Sequence, residues 1–192
     1  LEALISTWRE DTPLQRFNRA DAGRLEIPPE LHAYLARVQR DHTRTGGVFD
    51  PSVGTLRRNA DALIGMDRLR LSFEDDRAFA IRPHADFAGD SGGDGKGLAV
   101  DAIVDRLRAE GVESALVDFG GSSWFGLGST PGGAPWRVGL RTSAGEILGT
   151  VALVDRALSV SSTLRLDVDE DGRTRRVAHL VDPRTRETVE AD

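Results

Sequence analysis

The sequence has no cysteine, which excludes disulfides, thiolate metal sites and a cysteine nucleophile together. It has no apolar run near the roughly 20 residues a membrane-spanning helix requires. It also lacks an excess of positive charge. With a net charge of −6, the basic footprint that phosphate backbones demand is missing, and nucleic acid is not an expected partner. Methionine occurs once, at Met66, and the chain starts at Leu1. The expected reading is therefore a mature or trimmed chain, with any targeting segment outside it. Lysine is almost absent as well: of 25 basic residues, Lys96 is the single lysine. Arginine is a broad planar fork and lysine a compact point charge, so the two are not interchangeable in a tight space.

What is present is the make-up of a folded domain. The apolar fraction of 39% and charged fraction of 29% fit a globular protein, and 192 residues can bury a core without metal or disulfide staples. The chain opens with helical material over Leu1–Glu10. Asp11-Thr12-Pro13 then reads as a cap and a fresh helix start. From Pro28-Pro29, Leu31, Tyr34, Leu35 and Val38 recur at i, i+3, i+4 and i+7, which predicts a helix stopping before Gly46-Gly47. His32 and His42 lie on or near it and are expected at the surface.

After Gly46 the texture changes to strands and loops. Leu69–Phe73 and Ala78–Ile81 read as a hairpin turning at Glu74-Asp75-Asp76. A helix follows Gly97, with Leu98, Ile103, Val104 and Leu107 expected on its buried side and Gly111 as its C-terminal stop. Strands are expected near Ala115–Phe119, Trp136–Leu140, Ile147–Val154, Ala157–Val160, Leu164–Val168 and Val177–Val181, with Asp171-Gly172 turning the last pair. Asp167, Asp169 and Asp171 imitate the front of an EF-hand loop. Ala178 stands where that loop needs its glutamate, so a solvated hairpin tip is expected instead. Helices first and hairpin-linked strands after argue α+β architecture.

The segment with most chemical content is Asp90-Ser91-Gly92-Gly93-Asp94-Gly95-Lys96-Gly97. Successive glycines let the backbone approach a ligand closely, and a helix N-terminus favours an anion. Lys96 adds a full charge. Gly97 stands where a Walker A loop needs Ser or Thr, and no strand–G-x-G-x-x-G–helix arrangement precedes it. On residues alone two readings stand: a pyrophosphate cradle, or a glycine-rich turn whose lysine faces water.

Asp90–Asp101 is similar to the D-L-G-G-I-A-K-G-Y-A-V-D signature of the ApbE-type FAD:protein FMN transferase family. Five further segments resemble that family in the same order. Ser6-Thr7-Trp8-Arg9-Glu10-Asp11 with Asn18 resembles S-x-Y/W-R-x-D-S…N. Gly47–Gly54 resembles G-A-F-D-P-T-V-G, and Val117–Gly121 resembles V-N-L-G-G. Trp136–Gly139 resembles W-x-V-G, and His179–Thr185 resembles H-I-I-D-P-R-T-G. The resemblance implies a single ApbE-like, T-fold-related domain over residues 1–192, with N-terminal helices and a mixed, largely antiparallel sheet. It implies magnesium-dependent transfer of FMN from FAD to a Thr or Ser hydroxyl of an acceptor protein, releasing AMP.

By the same resemblance Asp90 and Lys96 contact FAD, the lysine at its phosphates, and the Gly93 carbonyl is a magnesium ligand. Trp8, Val48, Phe49, Asp50 and Val189 lie against the flavin nucleotide. His179 and Asp182 are candidate bases for the acceptor hydroxyl, although a strand histidine and an Asp-Pro turn each have ordinary structural uses. The family's opening strand and its downstream D-A-x-x-T metal-ligand segment have no counterpart between Leu1 and Asp192. Two alternatives follow: an FAD-binding homologue without turnover, or an FAD pyrophosphatase yielding FMN and AMP. The resemblance also implies an exported protein, periplasmic or held at a membrane by an anchor outside this chain.

Overall fold

The computed structural model describes residues 1–142, 145–162, 164–168, 172, 174–178 and 180–189. The chain divides into two compact units, one formed by residues 1–93 with 162–192 and the other by residues 94–161.

The first unit opens with a single helical turn, α1 (Glu2–Ile5), and α2 (Pro13–Arg19). Thr12 starts α2 as expected. Its Oγ1 accepts from the Gln15 amide at 3.2 Å, and Pro13 needs no donor at the first helical position. Strand β1 (Gly23–Ile27) leads to α3 (Pro29–Arg44), which buries Leu31, Tyr34, Leu35 and Val38, the stripe read from the sequence. A 3₁₀ helix (Pro51–Arg57), a second (Met66–Arg68) and the hairpin of β2 (Arg70–Glu74) and β3 (Arg77–Arg82) follow. Asp75 and Asp76 both take positive φ, 48° and 61°. That is the mirror-image turn which matches strand twist, and aspartate tolerates it better than most residues.

The sheet runs β1-β3-β2, antiparallel throughout. Its inner face offers Ala78 and Ala80, small enough for α3 to pack closely against β3. Its outer face carries Phe79 beneath the Arg24 guanidinium, flanked by the pairs Arg24–Glu74 and Arg77–Glu26. Gln39 donates to the carbonyls of Met66 and Leu69, at 2.8 and 2.6 Å, and so ties the second 3₁₀ helix to α3. The late strands β9 (Leu164–Val168) and β10 (Thr174–Ala178) pair antiparallel. The expected Val177–Val181 strand is thus displaced towards the N-terminus, and Val181 forms an isolated bridge with Thr188 instead. Of the expected hairpin tip, Gly172 is described; Asp169 and Asp171 lie outside the described residues.

In the second unit α4 (Gly95–Ala109) packs on β4 (Ala115–Phe119) and β5 (Ser123–Leu127) through Val100, Val104, Val117 and Leu127. Gly111 ends α4 with φ 77°. The Val112 amide reaches back to the Leu107 carbonyl at 2.9 Å and the Gly111 amide to Arg108 at 3.0 Å, the Schellman arrangement. Two expectations change here. The helix begins two residues before Gly97, so Lys96 and Gly97 belong to its first turn, and Ile103 faces solvent. Strand β8 (Arg156–Ser159) joins β5 to complete an antiparallel β4-β5-β8 sheet. Strands β6 (Trp136–Arg141) and β7 (Ile147–Leu153) form a separate hairpin. Every strand pairing among the described residues is antiparallel, consistent with the expected α+β class.

Candidate functional site

The stretch from Phe87 to Asp90, leading into the glycine cluster, is pinned residue by residue within the first unit. The Phe87 carbonyl accepts from Arg82 at 2.5 Å. The Ala88 amide donates to Thr55 Oγ1 at 3.0 Å. Gly89 is held at both ends of its backbone by the Asn18 side-chain amide. The Asp90 amide donates to the Pro51 carbonyl at 2.8 Å. The Asp90 carboxylate accepts from the Gly92 amide at 2.8 Å and pairs with Arg57 at 2.9 Å. A little further on, Ser91 Oγ donates to the Ile5 carbonyl at 2.7 Å. The turn is fixed by its surroundings before any ligand arrives.

Two features below the turn set its position. Arg82, only 1% exposed, has its two Nη atoms within bonding distance of the carbonyls of Asn18, Asp21, Ala85 and Phe87. Burial pulls its guanidinium below the usual range. Arginine still keeps its charge there, and the carbonyl dipoles stabilise it. Gly54 lies against the turn: a Cβ at that position would stand 2.9 Å from the Ala88 carbonyl oxygen and 3.2 Å from Asp90 Cβ. Neither role was assigned from the sequence, because both connect residues far apart in the chain.

The turn forms one wall of a cleft of about 190 Å³, lined by Thr7, Trp8, Gln15, Asn18, Gly54, Arg57, Arg58, Ala88, Gly89 and Asp90. Trp8 stands at its rim, 90% exposed. An indole plane, two guanidiniums and a rigid glycine backbone can stack an aromatic ring and neutralise an attached phosphate. Trp8 and Asp90, both singled out in the sequence, therefore meet in one cleft. Arg57 and Arg58 were not foreseen there.

The other expected residues are distributed as follows. Phe49 lies over the glycine turn: a Cβ on Gly93 would be 3.4 Å from its ring. Val48 is exposed beside it. Asp50 is buried, its carboxylate accepting from the Ser52 amide at 2.9 Å and from Ser52 Oγ at 2.6 Å as the cap of the first 3₁₀ helix. Val189 is partly exposed and donates its amide to the Leu180 carbonyl at 2.8 Å. Within the second unit, Lys96 extends from the first turn of α4 and its Nζ donates to Ser122 Oγ at 2.8 Å.

Asp182 accepts from the Arg184 amide, Nε and Nη2 at 2.9, 3.0 and 2.6 Å. Those bonds hold its carboxyl at about 2, a poor setting for a proton acceptor at neutral pH. His179 lies outside the described residues. The surface reading of His42 is overturned: its side chain is only 14% exposed and faces Asp50 at 3.7 Å. His32 is half-buried with its ring edge-on to Phe73. For magnesium, Gly93 can supply a carbonyl oxygen. Among the described residues no three acidic or histidine side chains converge. Among them, too, no helix is long and apolar enough to cross a membrane.

A model of the ApbE family matches residues 1–192. The chain belongs to the ApbE family. It is 26% identical over 212 residues to the FAD:protein FMN transferase of Klebsiella pneumoniae (strain 342), covering 98% of this chain and 60% of that protein. It is 27% identical over 219 residues to the FAD:protein FMN transferase of Treponema pallidum (strain Nichols), covering 96% and 59%. Among solved structures it resembles the apo form of the Pseudomonas stutzeri flavinyl transferase ApbE, at 26% identity and a TM-score of 0.74, covering 99% of this chain and 64% of that one. The ApbE protein of Thermotoga maritima superposes with a TM-score of 0.78 at 20% identity, covering 97% and 65%, a likeness of fold. The chain spans about 60% of the length of the curated relatives it matches.

Proposed function

We propose that this chain carries the flavin-handling part of a magnesium-dependent FAD:protein FMN transferase. In that reaction a Thr or Ser hydroxyl of an acceptor protein attacks the FMN-side phosphorus of FAD. A new P–O bond to the acceptor forms, the pyrophosphate P–O bond breaks, AMP leaves, and the hydroxyl proton passes to a base. Such transfers are mostly positioning and charge neutralisation, with little covalent work for the protein.

The observation that carries the reading is the turn from Phe87 to Asp90, prepinned beside a cleft that holds Trp8, Arg57 and Arg58. Family membership over the whole chain supports it, as do the relatives named for this activity. Lys96, held by Ser122, is the assigned cation for the pyrophosphate. His179 is the better remaining candidate for the base, because Asp182 is already committed to Arg184.

The test is mass spectrometry of an acceptor protein incubated with this chain, FAD and magnesium. A mass gain of one FMN with release of AMP is expected. Tight FAD binding with no AMP would reduce the proposal to a flavin-binding homologue. Free FMN with AMP would make the chain a pyrophosphatase.

A further inference from the structure

We infer that His42 and Thr45 form a clamp that positions Phe49 over the glycine turn, making His42 a positioning residue of the flavin site. This rests on the flavin reading above, but its evidence is separate. Both backbone groups of Phe49 are held by side chains from the end of α3. The Phe49 amide donates to Thr45 Oγ1 at 3.1 Å, and its carbonyl lies 3.0 Å from His42 Nδ1. A carbonyl only accepts, so Nδ1 carries the proton in this contact.

The link between the two residues is a tight turn. Gly46 and Gly47 take φ of 61° and 82°, and the Gly47 amide bonds the His42 carbonyl at 2.9 Å. A Cβ on Gly47 would sit 3.5 Å from the His42 ring, so the imidazole packs directly beneath the turn. Asp50 from the following segment lies 3.7 Å from Nδ1, and Asp67 from the second 3₁₀ helix 4.0 Å from Nε2. The ring is thus flanked by a carboxylate near each nitrogen, while its hydrogen bond goes to the Phe49 carbonyl. The consequence at the site is that Phe49 keeps its ring against Gly93 while Val48 stays exposed. An untethered Phe49 would have to be ordered at the moment of binding, at a cost in affinity.

The experiment is a flavin-fluorescence titration of FAD into the wild type and His42→Ala, His42→Asn, Thr45→Val and Lys96→Ala variants, with thermal melts alongside. His42→Ala and Thr45→Val should each weaken FAD binding about three- to tenfold, the worth of one hydrogen bond. His42→Asn should stay within about twofold of wild type, because the asparagine amide nitrogen takes the place of Nδ1. Recovery by asparagine is what a general loss of packing would not give. Wild-type affinity in His42→Ala, or equal weakness in the alanine and asparagine variants, overturns the clamp. If His42→Ala does not fold, wild-type affinity in Thr45→Val overturns it instead. Lys96→Ala reports on the underlying reading: if it alone is weak, only the clamp fails. If it binds as wild type does, the phosphate assignment fails whatever His42 does.

Discussion

Asn18 holds Gly89 by both of its backbone groups: the Gly89 amide donates to Asn18 Oδ1 at 2.8 Å, and Asn18 Nδ2 donates to the Gly89 carbonyl at 2.9 Å. Asn18 is itself buried at the end of α2. An aspartate there could accept but not donate, and would set a carboxylate against a carbonyl oxygen. Asn18→Asp should therefore lower folding stability by about 1–3 kcal/mol, the cost of a buried polar group left without its partner. Urea denaturation measures it. A change within about 0.5 kcal/mol would show that the pairing is not made in solution.

Gly54 tests the closeness of the turn to its support. A Cβ there meets the Ala88 carbonyl and Asp90 Cβ within 3.2 Å, and backbone cannot yield as a side-chain tip can. Gly54→Ala should destabilise the fold by about 1–3 kcal/mol and displace Asp90 from Arg57. A crystal structure of the variant with that ion pair intact would contradict the expectation.

Lys96 is the chain's single lysine, and its Nζ is held by Ser122. On the proposed placement of Lys96 at the pyrophosphate, removing it should weaken FAD binding by about tenfold or more. Lys96→Arg should recover only part of that loss, since the planar fork does not fit where a compact ammonium does. Calorimetric titration with FAD reads both variants, and full recovery by arginine would remove the argument for a point charge.

The Asp182–Arg184 contact sets a pH dependence. The Asp182 carboxyl is depressed from its ordinary 3.8 to about 2 by hydrogen bonds from Arg184. Its stabilising contribution is therefore fully present above the unfolded value and lost as pH falls through about 2. Arg184→Ala should return the carboxyl towards its ordinary range, as followed by carbon NMR across an acid titration. An unchanged titration would show that another group depresses it.

Much of the scaffold was legible in the chain because its signals are local. The i, i+3, i+4, i+7 pattern of Leu31, Tyr34, Leu35 and Val38 specified α3, and Gly111 specified its own left-handed stop. Strands β1 and β5 were not legible. Gly23–Ile27 pairs with a strand more than fifty residues later, and Ser123–Leu127 contains Gly126 and is defined by the neighbours on either side of it. The same divide runs through the site. Trp8 and Asp90 could be named from motifs, whereas Arg57, Arg82 and His42 act through contacts that only the folded chain brings together.

Arg82 fastens the carbonyls of Asn18 and Asp21 to those of Ala85 and Phe87, so the end of α2 and the start of the glycine turn move as one piece. Trp8, by contrast, stands free in solvent. On the proposed reading, a guest in the cleft would meet a floor of hydrogen-bonded backbone, and the freedom surrendered on capture would come from the exposed side chains at its edge, the Trp8 indole and the Arg57 guanidinium.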